Sequence, residues 1–258
     1  MAKDTPSLWP REHGAYVQLA LALLCGAALG RSWRGAAQAV LTAGLFLASE
    51  PVLVLMGRRG RQAATDKVRA GLRLLLIGSV TLLAALFAWG GAPAPALLSL
   101  FPAAALGGVL FLLFLARLER TAGGELVAAW AFAACAGCVA ALGGAGGPRA
   151  RALTFFLAGL FSLGTALVHC HLIALKRGGS WLPRAIAFAL GVALTAWAWV
   201  LARHGARAWT GPAVYLPMTL AALSVWLAPP EPRRLKALGW LAATGALAGG
   251  ALAVFRLF

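Results

Sequence analysis

The stretch LASEPVLVLMGRRGR, residues 47–61, sets the terms for the whole chain. Its first ten residues are apolar except for Ser49 and Glu50, and it ends in three arginines within four residues. Leu, Val and Met at every position would suit the buried strand of a soluble protein. The apolar run is longer than that. It begins near residue 35 and continues to residue 57, about the ~20 residues that a helix needs to cross a hydrocarbon layer. An abrupt basic cluster then follows, as it does where a span leaves the membrane on its cytoplasmic side.

The pattern repeats along the chain. Apolar runs at 14–30, 35–57, 71–90, 95–116, 122–143, 152–175, 183–202, 211–228 and 237–257 give about nine expected transmembrane helices. The eighth is short and bounded by prolines. Composition agrees, with 61% hydrophobic and 12% charged residues among 258. A soluble domain of this size cannot bury that much apolar surface. Connections are brief and carry ordinary breakers, such as GGAPAP at 90–95 and GGAGGPRAR at 143–151. No loop is long enough for an extramembrane domain. The expectation is an all-α, polytopic membrane helical bundle, a single integral-membrane domain over residues 1–258. The charges Asp4 and Glu12, and an opening run as long as a span, speak against a cleavable signal peptide.

A net charge of +16 raises the question of nucleic acid. The basic residues instead occupy short loops between apolar runs, where they mark topology and meet lipid headgroups. No nucleic-acid partner is expected, and membrane lipids are. Sixteen Lys and Arg fall on the N-terminus and even-numbered loops, and seven on the odd-numbered loops and C-terminus. The positive-inside rule therefore puts the N-terminus in the cytoplasm and the C-terminus outside. All seven acids, and three of the four histidines, also lie toward that cytoplasmic face. Acids contribute little to orientation, so this clustering is a separate observation.

Several candidate ligand-binding residues belong to that face. Glu12 and His13 stand where the first run begins, with Gly14 allowing close approach of a backbone or ligand. Glu50 lies about two turns inside the second span, just before Pro51, and needs a partner or water at that depth. Arg58 and Arg59 follow it. In ARLERTAGGELVAAW, residues 116–130, Arg120 precedes a turn and Glu125 falls in the first turn of the fifth span, where the helix dipole favours an acid. In GTALVHCHLIALKRG, residues 164–178, His169 and His171 are two apart and point in different directions on a helix. They do not make the i, i+4 pair that binds metal from one helical face. His169 with Lys176 and Arg177 could line an anion site. Cys25, Cys135, Cys138 and Cys170 sit within apolar runs as small packing residues; the CxxC at 135–138 has no flanking His or polar loop. No metal site and no cofactor are expected.

The nine-span count, the cytosolic N-terminus and the polar features after spans two and six resemble UbiA-type membrane prenyltransferases, which hold a Mg²⁺-bound diphosphate on Asp-rich motifs in those two regions. The corresponding segments here, SEPVLVLMGRRGRQAATDK (49–67) and HCHLIALKRGGSWLPR (169–184), lack those motifs, and clustered carboxylates are what such a metal needs. Ordinary Mg²⁺-dependent prenyl transfer is therefore not expected, and no catalytic residue carries over. At PREHGAY (10–16), EPVLVLMGRRGR (50–61), RLERTAGGELVAAWAF (117–132), GTALVHCHLIALKRG (164–178) and YLPMTLAAL (215–223) the chain resembles the YwiC-like bacterial membrane family. Tyr16 stands where that resemblance leads one to expect Trp. It implies a polytopic protein of the bacterial inner membrane with no assigned activity. Three roles compete: a cytoplasm-facing pocket for an anionic lipid or isoprenoid-phosphate-type ligand, a transporter of a small solute or protons, and a non-catalytic membrane assembly factor. No paired inverted repeats or matched broken helices favour the transporter.

Overall fold

The computed structural model describes residues 13–57, 67–202, 210–231 and 235–257. For His13, Leu201, Ala202, Thr210 and Leu235 it describes the backbone alone. The helices are α1 (His13–Gly30), α2 (Trp33–Leu55), α3 (Lys67–Trp89), α4 (Ala94–Leu98), α5 (Leu100–Ala116), α6 (Ala122–Leu142), α7 (Gly147–Lys176), α8 (Leu182–Ala202), α9 (Thr210–Leu227) and α10 (Leu235–Leu257). No strand occurs among the described residues. All nine expected apolar stretches fall on helix. Seven of them are long and apolar enough to cross a membrane, counting α4 and α5 together as 94–116; α1 and α9 are shorter and equally apolar. The chain is a polytopic helical membrane bundle.

The fourth stretch is interrupted at Ser99. Pro102 explains the break. It has no N–H to give the carbonyl of Leu98, and its ring crowds that turn, so α4 ends and α5 starts afresh. Pro51 has a milder effect: α2 continues through it to Leu55.

Four helices, α1, α6, α7 and α10, pack in a closed ring, each against its two neighbours. α7 carries the core, with Leu153, Leu157, Leu160, Phe161, Leu163 and Leu167 buried at helical spacing. α8 and α9 lie outside α7 and α10, α2 lies against α1 and α6, and α3 lies against α2. α5 packs along α6 and buries none of its own residues. No packed interface joins α3 to α5.

Lipid supplies no hydrophobic drive between helices, so small residues that let backbones meet hold such a bundle. The motif GAALG, Gly26 to Gly30, does this on α1. A Cβ on Gly30 would stand 2.7 Å from the Cα of Gly143, and one on Gly26 would stand 2.6 Å from the carbonyl of Ala136. The start of α2 joins the same contact, for a Cβ on Gly35 would meet the Val139 carbonyl at 2.8 Å. α1 and α6 therefore run parallel and α2 antiparallel to both. At this end Ser32 also donates to the Leu142 carbonyl at 3.5 Å, and Trp89 of α3 donates to Gln38 of α2 at 2.9 Å.

Candidate functional site

At the opposite end of the bundle, where α1 begins, glycine contacts give way to rings. Tyr16 of α1 meets Phe46 of α2 edge-on at 5.1 Å, and Phe46 meets Phe132 of α6 at 5.9 Å. These three rings form a floor, and polar groups sit beyond it. Glu50 follows Phe46 by one turn on α2. Glu125 precedes Phe132 by two turns on α6. Because the two helices are antiparallel, both acids lie on the same side of the floor, about 6 and about 10 Å along the helix axes. Both belong to facing stripes, since residues four and seven apart share a helical face.

Glu50 is 2% exposed. It and Arg73, one turn and a half into α3, both act electrostatically on the Tyr16 hydroxyl, which places an acid, a cation and a phenol from three helices in one neighbourhood. Glu125 meets an imidazole of a fifth helix: His169 Nε2 of α7 lies within hydrogen-bond distance, 2.8 Å, of Glu125 Oε2 across the α6–α7 interface. The histidine side chain is 24% exposed and the glutamate 40%. The pair is thus part-buried, and the two polar groups partner one another at the α6–α7 interface.

Local sequence explains how Glu125 is presented. Arg117 closes α5 in a left-handed conformation at φ 60°, and Thr121 Oγ1 accepts from the Gly124 amide at 3.1 Å as the cap of α6. Gly124 is obligatory in that turn: a Cβ there would stand 2.4 Å from the Leu118 carbonyl. Glu125 then falls in the first turn of α6, where the dipole favours its charge.

Among the other candidates from the sequence, Arg120, Lys176 and Arg177 are exposed at this same end of the bundle. His13 is the first residue of α1, and its side chain lies outside the described residues, as do Glu12, Arg58 and Arg59. Gly14 is exposed, and a Cβ on it would meet nothing within 4 Å, so no neighbouring helix uses the close approach it offers. Tyr16 and Arg73 were not among the sequence candidates. Arg73 was counted among the loop cations; it stands in the second turn of α3, and its charge reaches Tyr16 of α1.

His171, two residues after His169, looks the other way. It is fully buried, and neither ring nitrogen has a hydrogen-bond partner. Arg184 near the start of α8 is the cation whose charge acts on it. Cys138 donates to the Ser99 carbonyl at 2.9 Å, and the four cysteines are free thiols.

No curated protein and no solved structure matches the chain, so the UbiA-type likeness rests on the count and order of spans. A family model described as YwiC-like protein matches residues 9–142, over half of the chain, and so takes in α1 to α6 with Tyr16, Glu50, Arg73 and Glu125. The chain belongs to the YwiC-like family and is a multi-pass membrane protein.

Proposed function

We propose that this protein uses the polar end of its bundle as a cytoplasm-facing pocket for the headgroup of an anionic lipid or isoprenoid-phosphate-type amphiphile, in the bacterial inner membrane. The observation that carries the reading is the buried Glu50 beyond an aromatic floor, with the charge of Arg73 reaching the same Tyr16 that its own charge reaches. An acid at that depth is retained where it orders a cation and hydroxyl donors. Arginine is the residue best suited to phosphate, which it meets with a planar fork of N–H groups. The exposed Arg120, Lys176 and Arg177 at the same end add an attractive field for an anionic headgroup. The positive-inside count assigns that end to the cytoplasm. Recognition here is binding; no group at the site is assigned a catalytic step.

Purified protein in mild detergent should retain an anionic lipid visible by native mass spectrometry. Arg73→Gln and Glu50→Gln should each release most of it, while a Leu75→Ala control on the lipid-exposed side of α3 keeps it. Wild-type protein that carries no anionic lipid, or variants that retain it fully, would sink the reading. The Glu125–His169 pair favours a second reading, proton-coupled movement of a small solute, because such a pair can exchange a proton with water. Proteoliposomes loaded with a pH-sensitive dye separate the two: solute-dependent acidification lost in Glu125→Gln belongs to transport, and its absence to binding alone.

A further inference from the structure

The face of α7 turned away from Glu125 holds a second polar cluster. His171 is 0% exposed and Arg184 6%. Both ring nitrogens of His171 lack partners, and so does Nε of Arg184. Arg184 Nη1 donates to the Gly179 carbonyl at 3.3 Å, folding the side chain back over the turn between α7 and α8. That turn is tight: Gly178 and Gly179 have φ of 69° and 89°, and the Gly179 amide donates to Ala174, three residues after His171. The arginine is therefore delivered to the end of α7 at which His171 sits, and its charge acts on the imidazole.

The imbalance is specific. A buried polar group left unmatched is destabilising, and a buried guanidinium without a counter-charge is more so. No carboxylate among the described residues pairs with Arg184. The cluster offers a cationic fork, an imidazole N–H and the N-terminal end of α8, which starts two residues before Arg184. All three favour negative charge. A metal ion would be repelled by the guanidinium, and a water would satisfy the imidazole while bringing no negative charge to the guanidinium.

We propose that the α7–α8 junction binds a small oxyanion, a phosphate group, between Arg184 and His171. The phosphate is either free or the headgroup of a membrane lipid. The site lies on the opposite face of α7 from the Glu125–His169 pair and stands or falls independently of the headgroup pocket around Tyr16.

The test is thermal unfolding of delipidated protein in detergent, titrated with inorganic phosphate against chloride at equal ionic strength, together with native mass spectrometry of the protein before delipidation. If the phosphate is free, phosphate raises the unfolding temperature of wild type saturably. Arg184→Gln abolishes the response, and His171→Leu weakens the affinity by about tenfold or more, as loss of a hydrogen bond to a charged group does. If the phosphate belongs to a lipid, inorganic phosphate has little effect, and wild type carries an anionic lipid that Arg184→Gln lacks. Leu75→Ala, on the lipid-exposed side of α3, leaves either response intact, and a lipid kept by Arg73→Gln but lost from Arg184→Gln belongs to this site and not to the headgroup pocket. Should Arg184→Gln not fold, His171→Leu decides alone, since it replaces an unmatched ring by an apolar side chain. Wild type that responds to neither phosphate nor lipid, or a His171→Leu protein that responds fully, overturns the proposal. So does a His171→Leu protein stabilised equally with and without phosphate, which would show that water alone fills the site.

Discussion

The two ends of the bundle solve opposite problems. At the end where α1 finishes, Gly26, Gly30, Gly35 and Gly143 bring three backbones into contact, and nothing larger than hydrogen fits between them. At the end where α1 starts, the same helices are held apart by Tyr16, Phe46 and Phe132, and two carboxylates, an arginine and an imidazole lie beyond them. Small residues fix the geometry where the backbones meet. Large rings then set the clearance where polar groups gather. Backbone contact in lipid is strong through shape and costs no desolvation, whereas charge in lipid needs partners or water. The molecule keeps these two requirements at separate depths.

The coarsest way to break this contrast is topological, because the outcome is all or none. Reporter fusions after Lys236 should read cytoplasmic and fusions after Phe258 extracytoplasmic. A cytoplasmic C-terminus would detach the polar end from the cytoplasm and remove the functional reading with it. The next largest effect belongs to the glycine end. Gly30→Leu forces a side chain into the Gly143 backbone and should cost about 3 kcal/mol or more, the upper range for overpacking. Gly14→Ala, at the polar end and facing open space, should shift thermal stability by less than about 0.5 kcal/mol. Equal effects from the two substitutions would erase the contrast.

A finer test lies within the polar end, on the two faces of α7. His169→Leu strips Glu125 of its partner and should lower stability by about 1 kcal/mol, the scale of interhelical polar contacts in membranes. His171→Leu in phosphate-free detergent removes two unmatched nitrogens and should leave stability unchanged or raise it. The unfolding temperature should therefore fall in the first variant and not in the second, from histidines two residues apart. The smallest expected effect is none at all: stripping divalent metal with a chelator should leave both the unfolding temperature and the retained lipid unchanged. Among the described residues no three His, Cys, Asp or Glu side chains come together. A chelator-induced loss reversed by Mg²⁺ or Zn²⁺ would overturn that expectation.

The spans were legible because a twenty-residue apolar run has few alternatives, and helix starts and ends such as Thr121 and Gly178 carry their own local chemistry. The break at Ser99 was legible in principle from Pro102, yet an unbroken apolar composition masks it. Counting spans was enough to put Glu50, Glu125 and His169 toward the same end. It did not pair them. Glu125 and His169 are 44 residues apart, and Tyr16, Glu50 and Arg73 come from three helices. Which helices are neighbours depends on the glycine contacts at the far end, and the sequence does not state which glycine meets which. Arg184 was hidden for a related reason: in sequence it is one more loop arginine, and the double-glycine turn that folds it onto α7 becomes visible only in three dimensions.

α5 buries none of its residues and touches the rest of the protein along one edge of α6. In water such a helix would unravel, and hydrogen exchange would report it. In a bilayer its backbone amides stay bonded to one another wherever it goes, because lipid offers them no other acceptor. Its attachment is therefore invisible to amide exchange: a slow-exchanging α5 says nothing about whether it is docked. Docking has to be read from side-chain proximity instead. A cysteine on the α6-facing edge of α5, cross-linked at different temperatures to one on α6, measures whether this span is a fixed wall or a movable one.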